Sequence, residues 1–143
     1  MPFWKRTVSD ILSVINIPPG SWLLVLAWVI ECLRPDTPYV GLQLHGVEGS
    51  AKSSTQSILR DLIDPSSENL RAKPTKQESL FVAAQQNLLV SYENLSGLPS
   101  EIQDTMCTML TGGGFAFRTL YSNDQESLIS LTCPIALNVL TRW

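Results

Sequence analysis

The chain has 143 residues, 44% of them hydrophobic, and a formal net charge of −3 from 10 Lys and Arg against 13 Asp and Glu. This is one domain's worth of sequence, long enough to bury a core. Its acidic balance excludes a surface that holds nucleic acid by bulk electrostatics and leaves room for a local basic strip such as Arg71, Lys73 and Lys76. Three widely spaced cysteines with no C-x-x-C pair (Cys32, Cys107, Cys133) read as reduced thiols of a cytoplasmic protein. With a single histidine, His45, there is neither a zinc constellation nor a Ser-His-Asp or Cys-His centre.

In chain order, the first twenty residues predict a short amphipathic helix (Val8, Ile11, Leu12, Ile15) closed by Pro18-Pro19-Gly20. Trp22–Ile30 is a continuous apolar run. Lys5 and Arg6 lie well upstream of it, Asp10 and two prolines intervene, and a membrane span needs about 20 apolar residues. Ser21–Leu33 is therefore expected as a buried helix, capped by Ser21 and ended before Pro35, with no membrane role. Residues 1–38 make up these N-terminal helices, and 39–143 the core that follows.

The core opens with a strand, Val40–His45, then a glycine-rich loop, then a helix from Lys52 to Ile63 with Ile58, Leu59, Leu62 and Ile63 on its apolar face. The loop reads Gly46-Val47-Glu48-Gly49-Ser50-Ala51-Lys52-Ser53, followed by Ser54, and fits Gly-x-x-x-x-Gly-Lys-Ser/Thr with Ala51 in place of the last glycine. Such a loop aims backbone N–H groups at phosphate oxygens, and the next helix adds its positive dipole end. Lys52 reaches the β and γ phosphates and the Ser53 hydroxyl ligates Mg²⁺. If the loop needs positive φ at Ala51, alanine there is strained, with Gly49 able to take the tight turn. The bland alternative is a Gly/Ser turn capped by Ser50 before an ordinary helix.

Asp64–Ser67 is a turn, Leu70–Pro74 a short strand, and Thr75–Gln86 a helix opened by a capping box from Thr75 to Glu78. Leu88–Tyr92 is an apolar strand ending at Glu93-Asn94. A carboxylate placed there beside a phosphate loop can hold Mg²⁺ or orient an attacking water, the Walker B arrangement. Pro99–Leu110 is a helix with proline in its first turn. A glycine run, Gly112–Gly114, precedes a hairpin (Phe115–Tyr121 and Ser127–Thr132), and a last apolar strand, Pro134–Leu140, carries Asn138. Strands alternating with helices predict an α/β domain with a parallel sheet between helices and a β-hairpin before the last strand. The loop, Glu93 and Asn138 all fall at carboxyl strand ends, where such sheets bind ligands.

Three segments together carry a resemblance: Leu88–Asn94, Met109–Tyr121 with its Leu-Thr-Gly-Gly-Gly and Arg-Thr-Leu-Tyr, and Pro134–Asn138. In order and spacing they are similar to the core of phage and plasmid primase-helicase ATPases, the superfamily-3 and poxvirus-type group of the AAA+ class. Gly49–Ser53 and Asn94–Pro99 further resemble ATP-binding proteins of bacterial mobile elements. The resemblance spans about Leu23 to the C-terminus and implies a P-loop NTPase sheet that binds ATP and Mg²⁺. It assigns the phosphates and metal to Lys52 and Ser53, water activation or metal to Glu93, and the sensor role to Asn138. Arg118 would meet transition-state charge on a neighbouring subunit of a ring homo-oligomer, or a DNA phosphate. The hairpin stands where these helicases grip single-stranded DNA, yet its tip, Asn123–Glu126, is acidic. The helical lid of the class is absent before Trp143. Both departures favour the alternative of a nucleotide-binding regulatory or interaction module with no motor activity.

Overall fold

The computed structural model describes residues 8–35, 37–67, 70–118 and 126–140. In chain order the elements are α1 (Val8–Val14), α2 (Trp22–Cys32), β1 (Leu42–Gly46), α3 (Lys52–Ile63), α4 (Gln77–Gln86) and β2 (Val90–Leu95). They continue with α5 (Ser100–Thr111), β3 (Gly114–Arg118), β4 (Glu126–Ser130) and β5 (Ile135–Leu140). Strands β1, β5 and β2 form a parallel sheet in that spatial order, so the last strand lies between the two earlier ones. Strands β3 and β4 pair antiparallel as a separate two-stranded hairpin. The short strand expected at Leu70–Pro74 is reduced to one parallel bridge, Arg71 to Tyr92, on the outer edge of β2.

Period-two alternation sends the two faces of the sheet to different helices. Leu89 and Ala136 pack against α2 and α3, meeting Val25, Trp28, Val29, Leu59 and Ile63. On the opposite face, Val90, Tyr92 and Ile135 pack with α4 and α5 through Leu80, Phe81, Ile102, Met106 and Met109. Fully burying one such side chain contributes about 1.5–3 kcal/mol. Four sequence expectations are corrected. Helix α2 buries one stripe (Val25, Trp28, Val29, Cys32) while Leu23, Leu24, Ile30 and Leu33 stay exposed, and Ser21 stands at its N-cap without a side-chain bond. The buried face of α3 is Thr55, Gln56, Leu59, Arg60 and Ile63; Leu62 is exposed. No capping box opens α4, because the helix starts at Gln77 with Lys76 in the N-cap position. Pro99 likewise occupies the N-cap of α5, one residue before the helix.

The polar residues buried under the sheet set its geometry. The Gln56 amide nitrogen donates to Ser91 Oγ at 2.8 Å, the Tyr92 carbonyl at 3.0 Å and the Ala136 carbonyl at 3.2 Å. Helix α3 is thereby pinned to both β2 and β5. Lower down, the Arg60 guanidinium donates to Asn87 Oδ1 at 2.7 Å and pairs with Asp64 at 3.3 Å, and Asp64 accepts the Leu89 N–H at 3.1 Å. Burial lowers the Arg60 pKa and Asp64 opposes that shift. This network fixes where β2 starts.

Replacing Gln56 by Leu keeps the volume and removes all three bonds. The expected loss is about 2 kcal/mol, read as a lower urea midpoint; an unchanged midpoint would count against a structural role for the amide. Burial also pushes the Cys32 and Cys133 thiols up to about 12. In the unfolded chain both ionise near 9, so the stability their burial contributes is complete below pH 9 and is lost as pH rises towards about 12. The expected slope is up to about 1.4 kcal/mol per pH unit per thiol. Urea titrations across this range on the chain and on Cys32→Ala/Cys133→Ala should show a shallower decline in the variant.

Candidate functional site

Strand β1 ends at Gly46 and α3 begins at Lys52, so the intervening loop delivers the chain from the carboxyl end of a strand to a helix N-terminus. A Cβ on Gly46 would lie 2.7 Å from Ser50 Oγ and 3.5 Å from Lys52 Cδ, so the loop folds tightly over that position. Gly49 takes φ +79° with open space around it. Ala51 does need a left-handed backbone, with φ 59° and ψ 23°. Both conformations belong to the same loop, so Gly49 supplements the strained alanine and does not replace it. Val47, Glu48, Gly49, Ala51 and Ser54 are exposed; Gly46, Ser50, Lys52 and Ser53 are half-buried.

Hydrogen bonds close the loop on itself. Ser50 Oγ donates to the Val47 carbonyl at 2.8 Å, and the Lys52 ammonium donates to that carbonyl at 2.6 Å and to Ser50 Oγ at 3.3 Å. No side chain caps the start of α3, and Ala51 has none to offer. The first-turn N–H groups and the dipole of a twelve-residue helix therefore face the loop. From outside, Asn16 Nδ2 donates to the Ser50 carbonyl at 2.9 Å, and the Asn16 N–H to Thr55 Oγ1 at 3.1 Å. The segment before α2 is thus latched to the loop, a contact that no sequence signal announced. A cavity of about 880 Å³ opens beside it, between α2, β1 and the loop, with Asn16, Ile17, Trp28, Leu42, Lys52 and Thr55 in its wall.

Asn138 is fully buried in the central strand, and its Nδ2 donates to Ser53 Oγ at 3.0 Å, while its Oδ1 is buried without a partner among the described residues. On one side Asn138 pairs with Leu44 of β1. On the other, the register with β2 slips: Tyr92 pairs with Leu137 and Leu95 with Val139, so Glu93 and Asn94 together stand opposite Asn138. This is a β-bulge, a device that re-aims side chains. Asn94 absorbs it with φ 54°, a conformation asparagine tolerates. Alternation puts Glu93 on the face of Leu89 and Ser91, which α3 covers. The loop, Ser53, Asn138 and Glu93 thus meet at one end of the sheet. Arg118 lies in the hairpin, paired in register with Glu126, and its side chain falls outside the described ones. Residues 119–125, with most of the acidic tip, lie outside the described ones. Among the described residues no His, Cys, Asp or Glu cluster could hold a metal, and no helix is long and apolar enough to cross a membrane.

Residues 9–140 match the family model described as actinomycete integrative conjugative element replication protein. No curated protein and no solved structure matches the chain. The strained alanine makes a direct test of the loop geometry. Ala51→Gly should raise stability by about 1 kcal/mol, because a left-handed backbone costs an alanine about 1–2 kcal/mol and glycine gives back part of that gain as unfolded-state entropy. Urea unfolding reads the sign; a destabilised variant would mean that Ala51 is not left-handed.

Proposed function

Because the chain belongs to the actinomycete integrative conjugative element replication protein family, we propose that it serves mobile-element replication as an ATP-binding P-loop domain of AAA+ type. One observation carries the reading: the 3.0 Å bond from Asn138 to Ser53 joins the central strand to the helix that follows the glycine-rich loop. That bond, with the bulge at Glu93-Asn94 beside it, brings a loop, a hydroxyl, an amide and a carboxylate to one end of the sheet, which supports a site for a triphosphate and a water.

In this reading the backbone of Gly46–Ala51 and the α3 N-terminus receive the phosphates. Lys52 exchanges its bonds within the loop for β and γ oxygens. Ser53 and Glu93 offer hard oxygen donors that suit Mg²⁺, which would neutralise phosphate charge. Asn138 holds the Ser53 hydroxyl in place, and its unpartnered Oδ1 is free to accept from a water. Where Ser53 and the phosphates hold the metal, the Glu93 carboxylate is left to orient that water and take its proton. The cavity against Ile17, Trp28 and Leu42 has the size and apolar wall that a nucleoside requires. Helicase or primase work would follow from hydrolysis coupled to DNA in a ring of copies.

Titration with a fluorescent ATP analogue and Mg²⁺ tests the core of this. Saturable binding should weaken at least about tenfold in Lys52→Ala with the fold intact by circular dichroism. Glu93→Gln should keep binding and lower any hydrolysis about a hundredfold or more. A well-folded chain that binds no nucleotide would overturn the proposal.

A further inference from the structure

A second cavity, of about 540 Å³, lies on the outer edge of β2, bounded by Ser67, by Leu70–Thr75 and by Ser79 of α4. The chain is acidic overall, yet the described lining of this cavity carries Arg71 and Lys73 and no carboxylate. Neither cation forms an ion pair with a described residue. Thr75 and Ser79 add hydroxyl donors, and Tyr92, 3% exposed, reaches the wall from the sheet. Burial pushes the Tyr92 phenol up to about 12, against the pull of the Arg71 cation, so it stays a neutral donor. Lysine and arginine side chains are normally spent on solvated faces; here they share a concave wall of hydroxyls.

The backbone sets their spacing. The Arg71 N–H donates to the Ser91 carbonyl at 2.9 Å and the Arg71 carbonyl accepts the Glu93 N–H at 3.0 Å, so Arg71 is held as a strand residue. Lys73 precedes Pro74, which biases it to extended backbone. Two residues apart on extended chain, their Cα atoms stand about 6.6 Å apart and both side chains leave the same face of the segment, so the two cations can meet neighbouring phosphates of one strand. The segment runs parallel to β2 and so leads towards the same end of the sheet as Glu93. We propose that the cavity at Arg71 and Lys73 is a binding site for the phosphodiester backbone of single-stranded nucleic acid. Recognition there is through charge and hydroxyls and is indifferent to base sequence. The backbone bond between Arg71 and Glu93 links the segment that carries this cavity to the residue whose carboxylate belongs to the first site.

The test is fluorescence anisotropy of a labelled oligothymidylate, titrated with the full chain at several salt concentrations and without nucleotide. Failure of the ATP reading would leave this measurement untouched. Arg71→Gln/Lys73→Gln should weaken binding about tenfold and reduce the slope of log K against log salt by about 1.4, the share of two phosphate contacts on a single strand. Lys73→Gln alone, at an exposed position that cannot disturb the fold, should give about half of that slope change. Arg34→Gln, just past the end of α2, should bind as the parent chain does, and inorganic phosphate should compete no better than an equal ionic strength of chloride. The proposal is overturned if the parent chain does not bind, if the Arg71 and Lys73 variants bind unchanged, or if low inorganic phosphate displaces the oligonucleotide, which would assign the cavity to free phosphate.

Discussion

The amide of Gln56 is the fastening on which the rest of this domain depends. It reaches from α3 to an outer and the central strand of the sheet at once, and its partners include the carbonyl of Tyr92, next to the bulge at Glu93. A helix held in this way cannot slide along the sheet without losing three bonds together. Its first turn, and with it Lys52 and Ser53, is therefore fixed relative to Asn138. Hydrophobic contact between Leu59, Ile63 and Ala136 supplies most of the attraction, but apolar surfaces have no preferred register. The directional bonds select one.

The site inherits its order from that register. Asn138 lies between two neighbours of different kinds, the strand that leads into the loop and the strand that bulges at Glu93-Asn94. Because it is central, its side chain is sealed from solvent and its one donated bond goes to Ser53. Buried polar groups with a single partner are expensive to keep. The left-handed Ala51 and Asn94 add backbone strain at the two ends of the same constellation. Strain and unmet polarity concentrated in one place are what a preorganised site looks like before its ligand is considered.

Much of this was legible in the sequence, and the losses have definite causes. The bounds of α3 are legible because a Gly/Ser loop precedes an amphipathic run and a proline follows it. Strands β2 and β5 are visible as short apolar runs, but the polar residues expected to end them lie inside: β2 continues through Glu93 and Asn94 to Leu95, and β5 through Asn138 to Leu140. The buried face of α3 was misread because Thr55, Gln56 and Arg60 look like solvent residues to any periodicity argument, and their burial depends on partners far away in the chain. The expected capping box failed because α4 starts after the threonine that was to cap it. Strand order was invisible for the same reason as the polar burial: nothing local to Pro134–Leu140 says that it inserts between two strands already made. Of the basic strip Arg71, Lys73 and Lys76, the first two line one cavity because Arg71 is tied to the edge of β2, while Lys76 stands at the N-cap of α4.

That insertion has a consequence for how the molecule comes into being. Strands β1 and β2 do not touch as sheet neighbours; each is held by β5. During synthesis both lack the strand that joins them until Ile135–Leu140 have been made. A nascent chain can build α2 and α3 early, but the sheet closes in a single late event. The two halves of the constellation are brought together by the same step that completes the fold, so a partly made chain has no assembled site to engage prematurely.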